Sequence, residues 1–303
     1  MLLPLLERRL IFVTGKGGVG KSTVAHALGR LGARRGKRVI VAELATSADG
    51  GGGIEEVQLA PGLFSIAIDP QAAMEEYLRV KAGSLGGALS HSRLFGALAM
   101  ATPGLRELLG MGKIWELAQL ERHTRSADTY DLVIVDAPAT GHGVAALRTP
   151  RVFAETARVG PIAGTASRIA ATIADRSFTA VLAVCLAEEM PVRETLSLAD
   201  ALLADGLDLD AVVLNGRYPE RFSDPELVTL AAAAGRAAAE EPVTSALAAA
   251  QSGQARAVAQ RTHAARLHDR FGQRLLSLPY VFCDDIGNAE LEQLADRLAG
   301  ELS

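Results

Sequence analysis

A glycine-rich turn between an apolar run and an amphipathic one limits a fold more than any other short segment of this chain. The run Leu10–Thr14 leads into GKGGVGKS, Gly15–Ser22, followed by Thr23. From Lys21 to Arg35, Val24, Ala27, Leu28 and Leu31 recur at helical spacing. The segment fits G-x-x-x-x-G-K-[ST], in the strand–loop–helix setting that the pattern requires. Glycines let backbone N–H groups close around a run of phosphates. The start of the helix adds positive partial charge. Lys21 is placed to bridge terminal phosphates, and the Ser22 hydroxyl to hold Mg2+. The residues expected to contact nucleotide here are Gly15, Gly17, Gly18, Val19, Gly20, Lys21, Ser22 and Thr23.

A loop of this kind needs a sheet behind it, and the chain supplies the strands. Arg38–Glu43, Leu63–Ile68, Asp131–Asp136, Phe178–Val184, Leu209–Leu214 and Leu276–Phe282 are short apolar runs separated by helical stretches. Pro279 breaks the last of them. Continuous apolar strands alternating with helices predict an α/β fold, a P-loop NTPase with a mostly parallel sheet flanked by helices. Two regions interrupt the alternation. Residues 70–129 hold helical stretches and no strand, and 225–275 form an alanine-rich helical segment. No Pro/Ser-rich linker divides the chain, so 1–303 is expected to be a single domain with helical insertions. Asp136 closes an apolar strand, a position suited to holding Mg2+ or its water.

Charge and cysteine usage exclude several functions. Lys plus Arg number 31 against 35 Asp plus Glu, a net charge of -4, which argues against a nucleic-acid partner. The apolar N-terminus is split by Glu7, Arg8 and Arg9, far short of the ~20 residues of a membrane span. A cytoplasmic chain with no transmembrane segment is expected. The two cysteines, Cys185 and Cys283, lie far apart in apolar runs, form no CxxC pair, and are expected to be reduced and buried.

Lys16 goes beyond the ordinary phosphate cradle. GKGGVGKS has the deviant form of the loop and resembles that of ParA and MinD, nitrogenase iron protein and the ArsA-type ATPases. VDAPATGH, Val135–His142, resembles the ArsA family's second switch segment. Ala67–Tyr77, Gly112–Leu117, Leu186–Thr195, Val212–Phe222 and Leu276–Gly287 resemble its later strand–helix junctions and its adenine loop. The resemblance runs from Arg9 to Leu302 and is nearest to the bacterial paired ArsA-like ATPases. It implies ATP and Mg2+ as ligands, and a homodimer or a heterodimer with a related ATPase. It also implies that Lys16 acts across the subunit interface, and that a hydrophobic client or membrane-associated partner is coupled to hydrolysis. By the same resemblance Asn215 reads adenine, and Pro279, Tyr280 and Val281 pack against the base. Read from its own neighbours, Asn215 also suits the start of a turn in NGRYP.

This chain departs from the family in three ways. The family's water-positioning aspartate follows the second strand; here Glu43 stands in that place, one methylene longer. Asp49, further along the glycine loop, is a second candidate, and a weakly active subunit a third reading. The zinc-binding CxxC pair of the eukaryotic targeting ATPase is missing. Two thiols are also too few for the family's arsenite site. Leu85, Leu94, Phe95, Met100, Met111 and Trp115 in the insertion suit either core or a client groove. Two further functions compete: a regulatory subunit that completes a partner's site, and a ParA/MinD-like positioning ATPase. The C-terminal helix argues against the last, because acidic residues flank its leucine stripe.

Overall fold

A computed structural model describes residues 5–44, 54–77, 79, 104–122, 128–156, 161–236 and 241–302. Asp49, Leu85, Leu94, Phe95 and Met100 lie outside the described residues.

Alternation along the first strand decides the layering. In β1 (Leu10–Thr14), Leu10 and Phe12 join the core on one side of the sheet, and Ile11 and Val13 join the core on the other. All four are buried, so helices must cover both faces. The other strands are β2 (Val39–Leu44), β3 (Val57–Ala60), β4 (Leu63–Ile68), β5 (Leu132–Asp136), β6 (Thr179–Leu186), β7 (Ala211–Arg217) and β8 (Leu275–Pro279). They form one sheet in the order β3-β4-β2-β5-β1-β6-β7-β8. Every pairing is parallel except that of the edge strand β3 with β4. This is the α/β fold expected from the sequence.

The sequence reading missed β3. It is four residues long, and Val57 and Leu59 are half exposed, so it carries no buried-strand signature. Pro61 and Gly62 make the turn into β4, with Gly62 at a φ of 75°. At the other edge β8 ends at Pro279, short of the expected Phe282. Cys283 therefore lies outside the sheet and is exposed, contrary to expectation, whereas Cys185 in β6 is buried.

Helix α1 (Lys21–Arg34) covers one face. Gly29 lets it seat closely, since a β-carbon there would lie 2.9 Å from Leu63 Cδ1 and 3.0 Å from Val41 Cγ2. The last helix, α8 (Asn288–Glu301), packs beside it through Leu294, Ala295 and Leu298. Arg30–Glu292 and Arg34–Asp296 ion pairs join the two helices. The leucine stripe of α8 is thus used in the core.

The opposite face carries α2 (Leu105–Leu117), α3 (Thr140–Thr156), α4 (Pro161–Ala174), α5 (Glu189–Ala204) and α7 (Glu241–Phe271); α6 (Asp224–Arg236) pairs with α7. Leu108, Met111, Ile114 and Leu117 of α2 are all buried, each contributing about 1.5–3 kcal/mol. Within the described part of the insertion, these side chains are core.

A largely buried ionic network fastens α2, and nothing in the local sequence marks it. Lys113 Nζ lies 2.7 Å from Glu76 and 3.2 Å from Glu116. Arg122 lies 2.7 Å from Glu56 and 3.0 Å from Glu116, and Tyr130 donates to Glu56 at 2.5 Å. Burial pushes the Glu116 carboxyl up, but its Arg122 hydrogen bond and nearby Lys113 prevail and hold it below the usual range. Removing one member would strand a buried charge, which costs far more than losing a surface pair.

Candidate active site

The phosphate loop joins β1 to α1 at the carboxyl end of the sheet, where open α/β sheets bind ligands. Two glycines are required by close approach. Gly15 has a φ of 144°, and a β-carbon would fall 2.3 Å from the Val184 carbonyl oxygen. Gly20 has a φ of 90°, and a β-carbon would fall 2.3 Å from Asn215 Nδ2. Val19 is buried and pins the loop, while Gly17 and Gly18 are exposed. No side chain caps α1, and its first turn holds no acidic residue. Its leading N–H groups are left for an anion.

Ser22 and Asp136 meet beside the loop. Ser22 Oγ donates to Asp136 Oδ2 at 2.5 Å. Asp136 Oδ1 is buried and has no hydrogen-bond partner. Burial raises the Asp136 pKa, against the Ser22 hydrogen bond and the nearby Lys21 and His26. A hydroxyl, a carboxylate and an orphaned buried oxygen together suit a small oxygen-liganded divalent cation. Among the described residues no three His, Cys, Asp or Glu side chains gather for a metal. Such an ion would complete its shell with phosphate oxygens and water.

The two loop lysines differ. Lys21 Nζ donates to the Lys16 carbonyl at 3.1 Å, and burial lowers its pKa despite Asp136 nearby. Lys16 turns away and pairs with Glu194 of α5 at 2.9 Å, each side chain about one-third exposed. In the single chain, then, the residue expected to act in trans is held in cis. Glu194 was not singled out from the sequence, although LAEEMPVRET was noted as a junction. Its partner lies 178 positions earlier, and only the adjacency of β1 and β6 brings the two together.

Glu43 is exposed near the end of β2, in register with Asp136 on β5. The two carboxylates thus come from neighbouring strand ends. Asn215, near the end of β7, donates its Nδ2 to the Val19 carbonyl at 3.0 Å and so braces the phosphate loop. Beyond it, the Tyr280 N–H donates to the Arg217 carbonyl at 2.8 Å. The Tyr280 ring stacks on Tyr218 with centroids 4.5 Å apart, and Phe282 stands edge-on to both. Val281 packs into the core on the α1 face. Of the residues expected at the base, Pro279, Tyr280 and Val281, only Tyr280 belongs to this aromatic group; Tyr218 and Phe282, which complete it, were not singled out from the sequence.

The chain is similar to known proteins. The sequence profile described as anion-transporting ATPase matches residues 8–159 and 159–235. The chain belongs to that family. The match includes the phosphate loop, Glu43, Asp136, Glu194 and Asn215, and it stops before Pro279–Val281. ATPase BagA of Mycobacterium tuberculosis is 32% identical over 243 residues, which cover 74% of this chain and 69% of that protein. An arsenical pump-driving ATPase of Escherichia coli is 26% identical over 252 residues, 74% of this chain and 41% of its own length. ATPase get3 of Schizosaccharomyces japonicus is 26% identical over 254 residues, 71% of this chain and 76% of its own length. The family and these relatives make this chain an ATPase. Among the described residues, no helix is long and apolar enough to cross a membrane.

Proposed function

We propose that this ATPase is a Mg2+-dependent dimeric switch in which two subunits enclose ATP. The observation that carries the reading is the Ser22–Asp136 pair, with its orphaned carboxylate oxygen, beside an uncapped helix start. Backbone N–H groups of Gly15–Thr23 and the Lys21 ammonium hold the phosphates, and Ser22 and Asp136 hold the metal. A Mg2+ ion held there would supply charge neutralisation to the phosphates. Glu43 orients water and accepts its proton as the oxygen attacks the γ-phosphorus. The bond to the β–γ bridging oxygen breaks, leaving ADP and phosphate.

Lys16 supplies charge stabilisation to the partner's nucleotide, in the way arginine fingers do. For that, its pair with Glu194 must open. A one-third-exposed pair is worth about 0–1 kcal/mol, so a polyphosphate displaces it readily. Asn215 reads adenine without leaving Val19, because its amide has a second N–H and an acceptor oxygen. Pro279, Tyr280 and Val281 flank the base. Loss of the γ-phosphate relaxes residues 137–143, and the 70–129 insertion passes the change to a hydrophobic client or a membrane-associated partner in the cytoplasm.

The choice of partner, homodimer or heterodimer with a related ATPase, is tested by measuring turnover and mass together. Mg2+-ATP should shift the chain to a dimer, alone or with a companion, and activity should follow the dimer. Turnover by a strictly monomeric species would remove the trans role of Lys16. A second reading, a regulatory subunit, is favoured by the longer Glu43 arm; turnover that arises only from the companion's own site would support it.

A further inference from the structure

The strand that carries Glu43 ends against the insertion. Leu44, the last residue of β2, is partly buried and packs into the core below α2. Facing it on α2 is Gly110, where a β-carbon would lie 2.8 Å from Leu44 Cδ2, so that either the tip of the Leu44 side chain or the strand behind it would have to move. The contact therefore exists because the helix carries no side chain there. Gly112, two residues on in the same helix, faces open space.

Ion pairs hold α2 further along the helix. Lys113 ties it to the helical run at 70–77 through Glu76, and Glu116 ties it through Arg122 to Glu56, ahead of β3. The Lys113 and Arg122 side chains are only 4% and 2% exposed. Trp115 adds a hydrogen bond to Thr172 of α4 at 3.0 Å. An α2 locked in this way transmits displacement to whatever it touches, and it touches the residue next to Glu43.

We infer that α2 is the positioning element for Glu43, with the Gly110–Leu44 contact setting the reach of its carboxylate. The inference rests on the proposed role of Glu43. It supplies a route by which a load on the insertion alters hydrolysis: α2 shifts, Leu44 follows, and Glu43 gains or loses its place against the attacking water. A displacement of about 1 Å at a reacting group costs up to about 100-fold in rate, which is enough for a switch.

The test is steady-state ATP turnover, in the subunit arrangement that is active in the wild type, for Gly110→Val and for Gly112→Val as a control of equal helix propensity. Gly110→Val should lower kcat by about 10-fold or more while leaving the KM for ATP unchanged. Gly112→Val should match the wild type. Combining Gly110→Val with Leu44→Ala should recover much of the loss, so that the pair loses less than the product of the single effects. Should Gly110→Val not fold, Gly110→Ala adds the single carbon at issue and takes its place. Equal kcat in the Gly110 and Gly112 variants, or a loss that Leu44→Ala leaves untouched, overturns the inference while the ATPase reading stands. A wild-type chain that binds ATP but turns over equally fast as Glu43→Gln removes the role of Glu43, and this inference with it.

Discussion

Asp136→Asn should make the nucleotide-free protein more stable and end its function. Asp136 is 8% exposed, and its Oδ1 has no hydrogen-bond partner. A buried polar group left unsatisfied costs about 1–3 kcal/mol. Ser22 can still donate to the asparagine oxygen; the amide nitrogen takes the orphaned place, but a neutral buried group costs less than a charged one, so the charged part of the desolvation cost is removed. The attraction of Lys21 and His26 is lost as well, but burial outweighs it, because the net effect on Asp136 is a raised pKa. A carboxyl whose folded pKa lies above its unfolded value favours the fold relatively less as pH rises. Below the ordinary value of 3.8 both states are protonated and the penalty is absent. It grows as pH climbs from there, and it is complete once pH has passed the raised folded value. Thermal melts of the two proteins without nucleotide should therefore nearly coincide in acid, if the fold survives there. At pH 7 they should differ by about 2–6 °C in favour of the variant. Adding Mg2+-ATP should raise the melting point of the wild type and not that of the variant. A variant less stable than wild type at pH 7 would refute the view that this carboxylate is kept at a cost for a cation.

Glu43→Gln should keep ATP binding and lose hydrolysis, by about 100-fold or more if it removes the general base; a nucleotide-binding titration and a phosphate-release assay separate the two, and unchanged turnover would refute the assignment. Lys16→Ala should lower kcat by about 1000-fold or more in the dimer, with little change in the binding of ATP to the single chain. Normal activity would remove the trans-lysine role. Thiol labelling of the native, reduced chain should modify exposed Cys283 well before Cys185, which is buried and whose thiol burial pushes up to about 11. Mass spectrometry of the labelled peptides reads the result, and labelling of Cys185 at a rate equal to Cys283 would contradict its burial.

The parts of the molecule legible in the sequence have a period or a turn chemistry of their own. β1, β5 and β6 are buried on both faces and so appear as unbroken apolar runs. The phosphate loop is legible because Gly15 and Gly20 occupy positions where a β-carbon has no room. Asp136 stands out in the sequence because it ends such a run, and the structure puts it beside Ser22. What escaped notice depends on long-range pairing. Arg122, Glu116, Lys113 and Glu76 carry no local mark of their pairing, and only the packing of separate segments brings them into one largely buried network. Glu194 carries no local mark of its pairing with Lys16. Gly110 and Gly112 look alike in LGMGK, yet Leu44 lies against one and nothing lies against the other. Cys283 was misjudged because the apolar run was followed past Pro279, where the sheet ends.

The central claim is that Gly15–Ser22 and Asp136 form a seat for a metal-bound triphosphate. Equilibrium titration with labelled ATP tests it most directly, performed with Mg2+ and again with the metal chelated, for the chain alone and with a companion ATPase. The account predicts saturable binding that weakens sharply on chelation and in Asp136→Asn. Binding that is indifferent to both, or no binding in either arrangement, would contradict it.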